Sequence, residues 1–149
     1  MIIYNKLTII NLLFKEGVNS MSVLFSSPGK YIQGSGELSN LGKYTKEYGK
    51  KMLLITDQFL LDKFKSNLDV NIEVHDVEIE YVISSGECTY KEIERIADLA
   101  KSTASNIIVG VGGGKVLDTS KGVATKTGLP LAIVIADAVG EEFKKSIKQ

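Results

Sequence analysis

Apolar residues in this chain repeat with two different periods. The runs Lys51-Met52-Leu53-Leu54-Ile55-Thr56, Asn106-Ile107-Ile108-Val109 and Leu131-Ala132-Ile133-Val134 are short and almost continuously apolar. That is the pattern of strands buried on both faces. Lys30 to Gln33 reads as a further short strand. Between these runs the period lengthens. Leu38, Leu41, Tyr44 and Tyr48 fall roughly on one helical face, with Gly49 as the stop. A short helix bearing Phe59, Leu60 and Phe64 is expected after the Lys51–Thr56 strand. From Ile72 to Ile83 apolar residues alternate and the parity slips at Asp76, which predicts a strand with a break or bulge. Thr89 and Glu92 fit a capping box, and Ile93, Ile96, Ala97 and Ala100 recur on one face behind it. Val116 to Thr127 reads as a helix ended by Gly128, with Leu129-Pro130 beyond. Alternating β and α elements predict an α/β fold: a mainly parallel sheet with helices on both faces and right-handed crossovers. No repeat, low-complexity tract or Pro/Ser-rich linker divides the chain.

The two ends do not share this rhythm. Thr8 to Phe14 is apolar but far too short to span a bilayer, and Lys15-Glu16 follows with no small-residue cleavage site. Lys15-Glu16-Gly17-Val18 can be encoded by purine-rich codons resembling a bacterial ribosome-binding site. Met21 is therefore read as the native start, and residues 1–22 are expected to be a non-native or disordered extension of a domain over 23–135. In the tail, 136–149, Val139, Phe143 and Ile147 lie four apart, and Asp137, Glu141 and Glu142 precede Lys144, Lys145 and Lys148. Acid early and base late suits a helix dipole. The tail reads equally as a short amphipathic helix or as a frayed end.

Composition narrows the function classes. A chain of 149 residues holds one domain with a real core. Eighteen basic residues balance eighteen acidic ones, which gives no global field for nucleic acid or an acidic membrane. The single cysteine, Cys88, precludes an internal disulfide and fits a cytoplasmic location; it reads as a packing residue rather than a reactive thiol. His75, the one histidine, reads as an exposed strand or loop residue rather than a metal ligand.

The chemistry concentrates in Gly110-Val111-Gly112-Gly113-Gly114-Lys115-Val116-Leu117-Asp118-Thr119-Ser120-Lys121. A buried strand, a glycine cluster and a helix N-terminus in that order make a place for an anion. Glycines let backbone approach a phosphate, and the unpaired N–H groups of the first helical turn point at it. Lys115 adds a positive charge at the rim. The bland alternative is a tight turn under a closely packed helix. Two common templates fail. Val109 stands where a P-loop needs its first glycine, and Val116 follows the lysine instead of Ser or Thr. A dinucleotide-binding fingerprint needs a third glycine where Lys115 stands and an acid about 20 residues later; the best strand-end acid, Asp57, precedes the glycines.

Four segments in order supply another template: Ser27-Pro28-Gly29-Lys30-Tyr31-Ile32-Gln33-Gly34, Ile55-Thr56-Asp57, Gly86-Glu87-Cys88-Thr89, and Gly112-Gly113-Gly114-Lys115-Val116-Leu117-Asp118-Thr119-Ser120-Lys121. This series resembles the N-terminal domain of glycerol dehydrogenases, in the metal-dependent (iron-containing-type) alcohol dehydrogenase family. The resemblance runs from about Val23 to Val134 and implies a Rossmann-like, dehydroquinate synthase-like N-terminal domain. It also implies NAD as cofactor. Gly112, Gly113 and Gly114 would give backbone N–H groups to the pyrophosphate, with Lys115 as countercharge. Asp57 would accept from the adenosine ribose hydroxyls and repel a 2′-phosphate, or is merely a strand-terminating turn residue. Asp118 orients Lys115, bonds a cofactor group, or is simply a favourable acid in a first helical turn. Thr119 and Ser120 are either phosphate ligands or ordinary helix-surface residues, and Lys30, Tyr31 and Glu87 read as fold-setting.

In the family a Pro-Thr-x-x-Ser-Thr-Asp loop and a helical domain bearing the metal ligands, an Asp and two His, follow this domain. Here Ile135-Ala136-Asp137-Ala138-Val139-Gly140 stands in that place. The expectation is the NAD-binding portion of a glycerol dehydrogenase-like polyol oxidoreductase, truncated and inactive alone, with zinc or iron needed only in the intact enzyme. Self-association and a separately encoded helical domain are the partners this implies, with a stand-alone nucleotide-binding or interaction module as the alternative.

Overall fold

The computed structural model describes residues 2–4, 8–9, 23–24, 30–31 and 37–135. The tail over 136–149 and most of the 1–22 segment lie outside the described residues. In chain order the strands are β1 (Ile2–Tyr4), β2 (Thr8–Ile9), β3 (Val23–Leu24), β4 (Lys30–Tyr31), β5 (Lys51–Thr56), β6 (Glu78–Ile83), β7 (Ile107–Gly112) and β8 (Leu131–Ile135). The α-helices are α1 (Leu41–Thr45), flanked by single 3-10 turns, α2 (Gln58–Glu73), α3 (Tyr90–Ser102) and α4 (Gly114–Thr127). Among the described residues one six-stranded sheet has the order β4-β1-β8-β7-β5-β6, and β2 and β3 form a separate pair. β5, β6, β7 and β8 are mutually parallel, whereas β1 runs antiparallel to both β8 and β4. The sheet thus takes in Ile2–Tyr4, ahead of the Val23 at which the sequence places the start of the domain.

Alternation along each buried strand divides the core. Met52 and Leu54 of β5, Val109 and Val111 of β7, and Ala132 and Val134 of β8 pack with Leu41 of α1 and with Leu60, Leu61, Phe64, Leu68 and Ile72 of α2. On the opposite face, Leu53, Ile55, Ile108, Leu131 and Ile133 pack with Ile96, Ala97 and Ala100 of α3 and with Val116, Val123 and Ala124 of α4. The sheet is therefore covered on both faces, which is why its central strands are apolar on both sides.

Two elements differ from the sequence pattern. α2 is a helix of 16 residues rather than a short one, and it takes Ile72 with it. Leu60, Leu61, Phe64, Leu68 and Ile72 form one buried stripe, so Ile72 continues a helical series from Leu68 instead of opening the alternation with Val74. Val74, 80 % exposed, contributes nothing to either core. The slip at Asp76 is then no bulge. It is the turn between α2 and β6, where Asp76 takes a left-handed φ of 53°. At α3 only half of the expected capping box forms. Thr89 accepts from the Glu92 N–H at 3.2 Å, but the Glu92 carboxylate turns to the Ser85 N–H and to Arg95.

Close approach of α4 to the sheet rests on β7 glycines. A Cβ on Gly110 would stand 2.4 Å from Ser120 Oγ, and one on Gly112 would stand 2.9 Å from Val116 Cβ. Any side chain at either position would push the helix off the strand. Gly128 closes α4 in the left-handed conformation at φ 71°, as the sequence predicts.

Candidate functional site

Because β5, β6 and β7 are parallel, their C-terminal ends share one edge, and α2, α3 and α4 all begin there. The chain leaves β5 for a helix on one face and leaves β7 for a helix on the other. β5 and β7 are adjacent, with Ile55 opposite Gly110. This is a topological switch point, the place in an open α/β sheet where a crevice opens beyond the strand ends. Asp57 lies two residues past Ile55, and Gly112 two past Gly110, so both strand ends flank one crevice. Residues separated by more than 50 positions in the sequence are thereby brought to the same level of the sheet.

The three helices meet this edge differently. Asp57 caps α2, its Oδ1 accepting from the Leu60 N–H at 2.9 Å, and Thr89 caps α3. α4 starts on Gly113, which has no side chain and makes no cap bond. The first intrahelical bond of α4 runs from Leu117 N–H to the Gly113 carbonyl at 3.0 Å. The N–H groups of Gly114, Lys115 and Val116 therefore have no acceptor within the helix. Their partial positive charge adds to the positive end of the helix dipole.

The glycines at this turn do two different jobs. Gly112 serves packing, as its contact with Val116 shows. Gly113 and Gly114 are exposed, with nothing within 4 Å of where a Cβ would stand. Neither is in the left-handed region; Gly113 has φ −86° and ψ −171°. The chain's own sterics do not demand glycine at either position. Bare backbone there leaves room for something outside the chain to approach.

Lys115 is not idle at this rim. Its Nζ donates to Glu87 Oε1 at 2.7 Å, linking the α4 N-terminus to the loop after β6. Both side chains are exposed, 64 % and 68 %, so the pair itself is worth little to stability. Glu87, fold-setting by its sequence pattern, is thus a charged member of the rim. The loop that carries it is anchored from below. Buried Glu92 accepts from the Ser85 N–H at 2.8 Å and is gripped by Arg95 through both Nε and Nη2. The Arg95 fork, with the Ser85 N–H added, overcomes the penalty of burial and holds the Glu92 carboxyl down at about 2. Arg95 also donates to the Ile83 carbonyl at the end of β6.

Other sequence candidates fall into place around this frame. Asp118 is exposed and pairs with Lys121 at 3.3 Å, while Lys115 takes Glu87 as its partner. Thr119 and Ser120 are fully buried and return their hydroxyls to the Lys115 and Val116 carbonyls, so neither is a helix-surface residue. That back-bonding satisfies polar groups where α4 presses on the sheet. Cys88 is exposed rather than a packing residue. His75 is half-buried, with its Cβ 3.2 Å from where a Cβ on Gly42 would stand. Among the described residues no three His, Cys, Asp or Glu side chains gather to hold a metal ion. No helix there is long and apolar enough to cross a membrane.

The profile of iron-containing alcohol dehydrogenases matches residues 28–148 and so continues past Val134, where the sequence resemblance was expected to end. A glycerol dehydrogenase from Escherichia coli O6:H1 is 36% identical over 113 residues, which make up 76% of this chain and 31% of the relative. A glycolaldehyde reductase from Halobacterium salinarum is 33% identical over 108 residues, 72% of this chain and 30% of that protein. The crystal structure of a probable glycerol dehydrogenase from Sinorhizobium meliloti 1021 superposes with a TM-score of 0.66 at 38% identity, covering 75% of this chain and 30% of that one. The chain thus spans about a third of the length of the relatives it matches. With the profile matching most of its residues and its sheet shared with solved relatives, the chain belongs to the iron-containing alcohol dehydrogenase family.

Proposed function

We propose that this chain carries the NAD-binding portion of a glycerol dehydrogenase-like polyol oxidoreductase. The observation that carries the reading is the crevice between β5 and β7, where α4 opens on two exposed glycines with no cap. The residues fit a dinucleotide. The Gly114, Lys115 and Val116 N–H groups, with the Lys115 ammonium, face the pyrophosphate as donors and countercharge. Asp57 keeps one carboxylate oxygen on the α2 cap and offers the other to ribose hydroxyls. That second oxygen is also what disfavours a 2′-phosphate. Asp118, paired with Lys121, belongs to the outer part of the same helical turn. When bound, NAD supplies the hydride acceptor for alcohol oxidation.

The described residues do not supply a metal site, so the step that acidifies the alcohol falls to residues outside them. The relatives' names span a polyol and a hydroxyaldehyde as substrates. The substrate class proposed is therefore a small hydroxylated compound, with zinc or iron acting only in the complete enzyme. A cytoplasmic location, self-association and docking of a separately encoded helical domain belong to the same proposal.

Calorimetric titration with NAD and with NADP tests the reading. Weak but measurable NAD binding, tighter than NADP, is expected. Equal affinity for both removes the role given to Asp57, and binding of neither removes the site.

A further inference from the structure

At the mouth of the crevice, the Lys115 ammonium is already partnered. Lys115 Nζ lies 2.7 Å from Glu87 Oε1, and Glu87 is carried by a loop built to hold it there. Gly86 turns that loop at φ 92°, and the Glu92 carboxylate fixes Ser85 just before it. With Asp57 on the other side of the crevice, the described residues place the Asp57 and Glu87 carboxylates against the Lys115 ammonium, while Asp118 pairs with Lys121. Such a mouth is poorly suited to a highly charged anion. A ligand whose own positive charge offsets its phosphates suffers less.

We propose that Glu87 is a specificity-determining residue: a built-in counter-ion that shares Lys115 with the incoming pyrophosphate and biases the crevice toward dinucleotides of low net charge. This rests on the nucleotide reading of the crevice and adds to it. NAD carries two phosphate charges offset by its nicotinamide cation, whereas ADP carries about three with no offset at pH 7. Both present a pyrophosphate to the same N–H groups, so the difference in charge is what Glu87 reads. A carboxylate within hydrogen-bond range of Lys115 acts well inside the screening length of about 8 Å at physiological salt.

The test is Glu87→Gln in the full 149-residue chain, titrated with NAD and with ADP beside wild type, Lys115→Ala and the double variant. Glutamine keeps the size and one acceptor oxygen but removes the charge. ADP should bind roughly two- to fivefold tighter to Glu87→Gln, the range of an exposed charge pair, and NAD should gain less. Both gains should shrink in 1 M salt and should be smaller in the Lys115→Ala background, where no ammonium is left to share. Equal gains for the two ligands, gains left undiminished by loss of Lys115, or weaker binding by Glu87→Gln would each overturn the proposal while leaving the crevice a nucleotide site. If neither wild type nor Glu87→Gln binds NAD or ADP, the nucleotide reading itself fails and the proposal falls with it.

Discussion

Replacing Gly114 by alanine separates what the glycine turn does for the fold from what it does for a ligand. A Cβ at Gly114 meets nothing within 4 Å, and the residue is not left-handed. It occupies the first position of α4, where alanine is a better helix former than glycine by up to about 1 kcal/mol. Stability should therefore stay within about 1 kcal/mol of wild type, or rise slightly. Gly110→Ala is the control. Its methyl would stand 2.4 Å from Ser120 Oγ and 2.7 Å from Ser120 Cβ, and Ser120 is itself buried and bonded to the Val116 carbonyl at 2.8 Å. Ser120 cannot yield without moving α4, so an overpacking cost of about 1–3 kcal/mol is expected. For a chain of this length that lowers the melting temperature by roughly 2–4 °C per kcal/mol. Binding should rank the other way. Cα–Cβ bonds in a helix lean toward its N-terminus, so the Gly114→Ala methyl projects into the space above the free N–H groups. A tenfold loss of NAD affinity corresponds to about 1.4 kcal/mol, a modest demand for a methyl standing in a phosphate's path. Urea unfolding and NAD titration on both variants read the two quantities independently. If Gly114→Ala binds NAD as wild type does, the turn is structural and the phosphate assignment is refuted. If it unfolds as easily as Gly110→Ala, the claim that Gly114 stands in open space fails.

Three further expectations follow from the same geometry. Lys115→Ala should weaken NAD binding by about 1–3 kcal/mol if a charge-assisted bond to phosphate is lost, while stability barely moves because the Lys115–Glu87 pair is exposed; unchanged affinity in calorimetry would remove Lys115 from the site. Glu92 has a folded-state value near 2 against an ordinary 4.5, so its contribution is fully present above 4.5 and is lost as pH falls through about 2. Because Arg95 is half-exposed, about 1–2 kcal/mol is expected, measured as a loss of urea stability in wild type that Glu92→Gln, already weakened at pH 7, does not repeat; identical pH slopes would contradict the buried fork. The purified 149-residue polypeptide should make no NADH from glycerol and NAD, with or without zinc or iron, and chelator-sensitive turnover would show metal ligands that the described residues do not reveal.

The sequence exposes those parts of the fold whose burial is complete. β5, β7 and β8 are buried on both faces, so their apolar runs are unbroken and their bounds hold to within a residue or three. α2 is harder because the helix is amphipathic and its polar residues, Lys65, Ser66, Asn67, Asp69 and Asn71, interrupt the apolar text around Leu68. Ile72 fits both a four-residue step from Leu68 and a two-residue step to Val74, and only the packing of α2 against the sheet decides between them. The candidate site divides similarly. The glycine turn is local and readable from the chain. The juxtaposition of Asp57 with Gly112 depends on β7 pairing beside β5 rather than beyond β6, a non-local choice. Glu87 escapes for the same reason: its partner is 28 residues away and neither residue is buried, so no periodicity marks the pair.

The loop after β6 shows how a buried ion pair set back from a site governs the charge at its rim. Glu92 lies in the first turn of α3, yet its bond from the Ser85 N–H, braced by two bonds from Arg95, holds the loop in place. Arg95 ties the same carboxylate to the Ile83 carbonyl, so the end of β6, the loop backbone and the first turn of α3 are joined through one hydrogen-bonded cluster. The loop then needs only the Gly86 turn to bring Glu87 over the mouth of α4. A buried charge pair is weak evidence for stability in itself, since burial offsets much of what the ions gain from each other. Its value here is positional. An apolar pair of similar size could fill the same space, but nothing would then hold the Ser85 N–H or fix the path to Glu87. The Gly86-Glu87-Cys88-Thr89 segment thus joins a turn, a rim charge and a helix cap in four residues, with Glu92 bonding back to Ser85 just ahead of it.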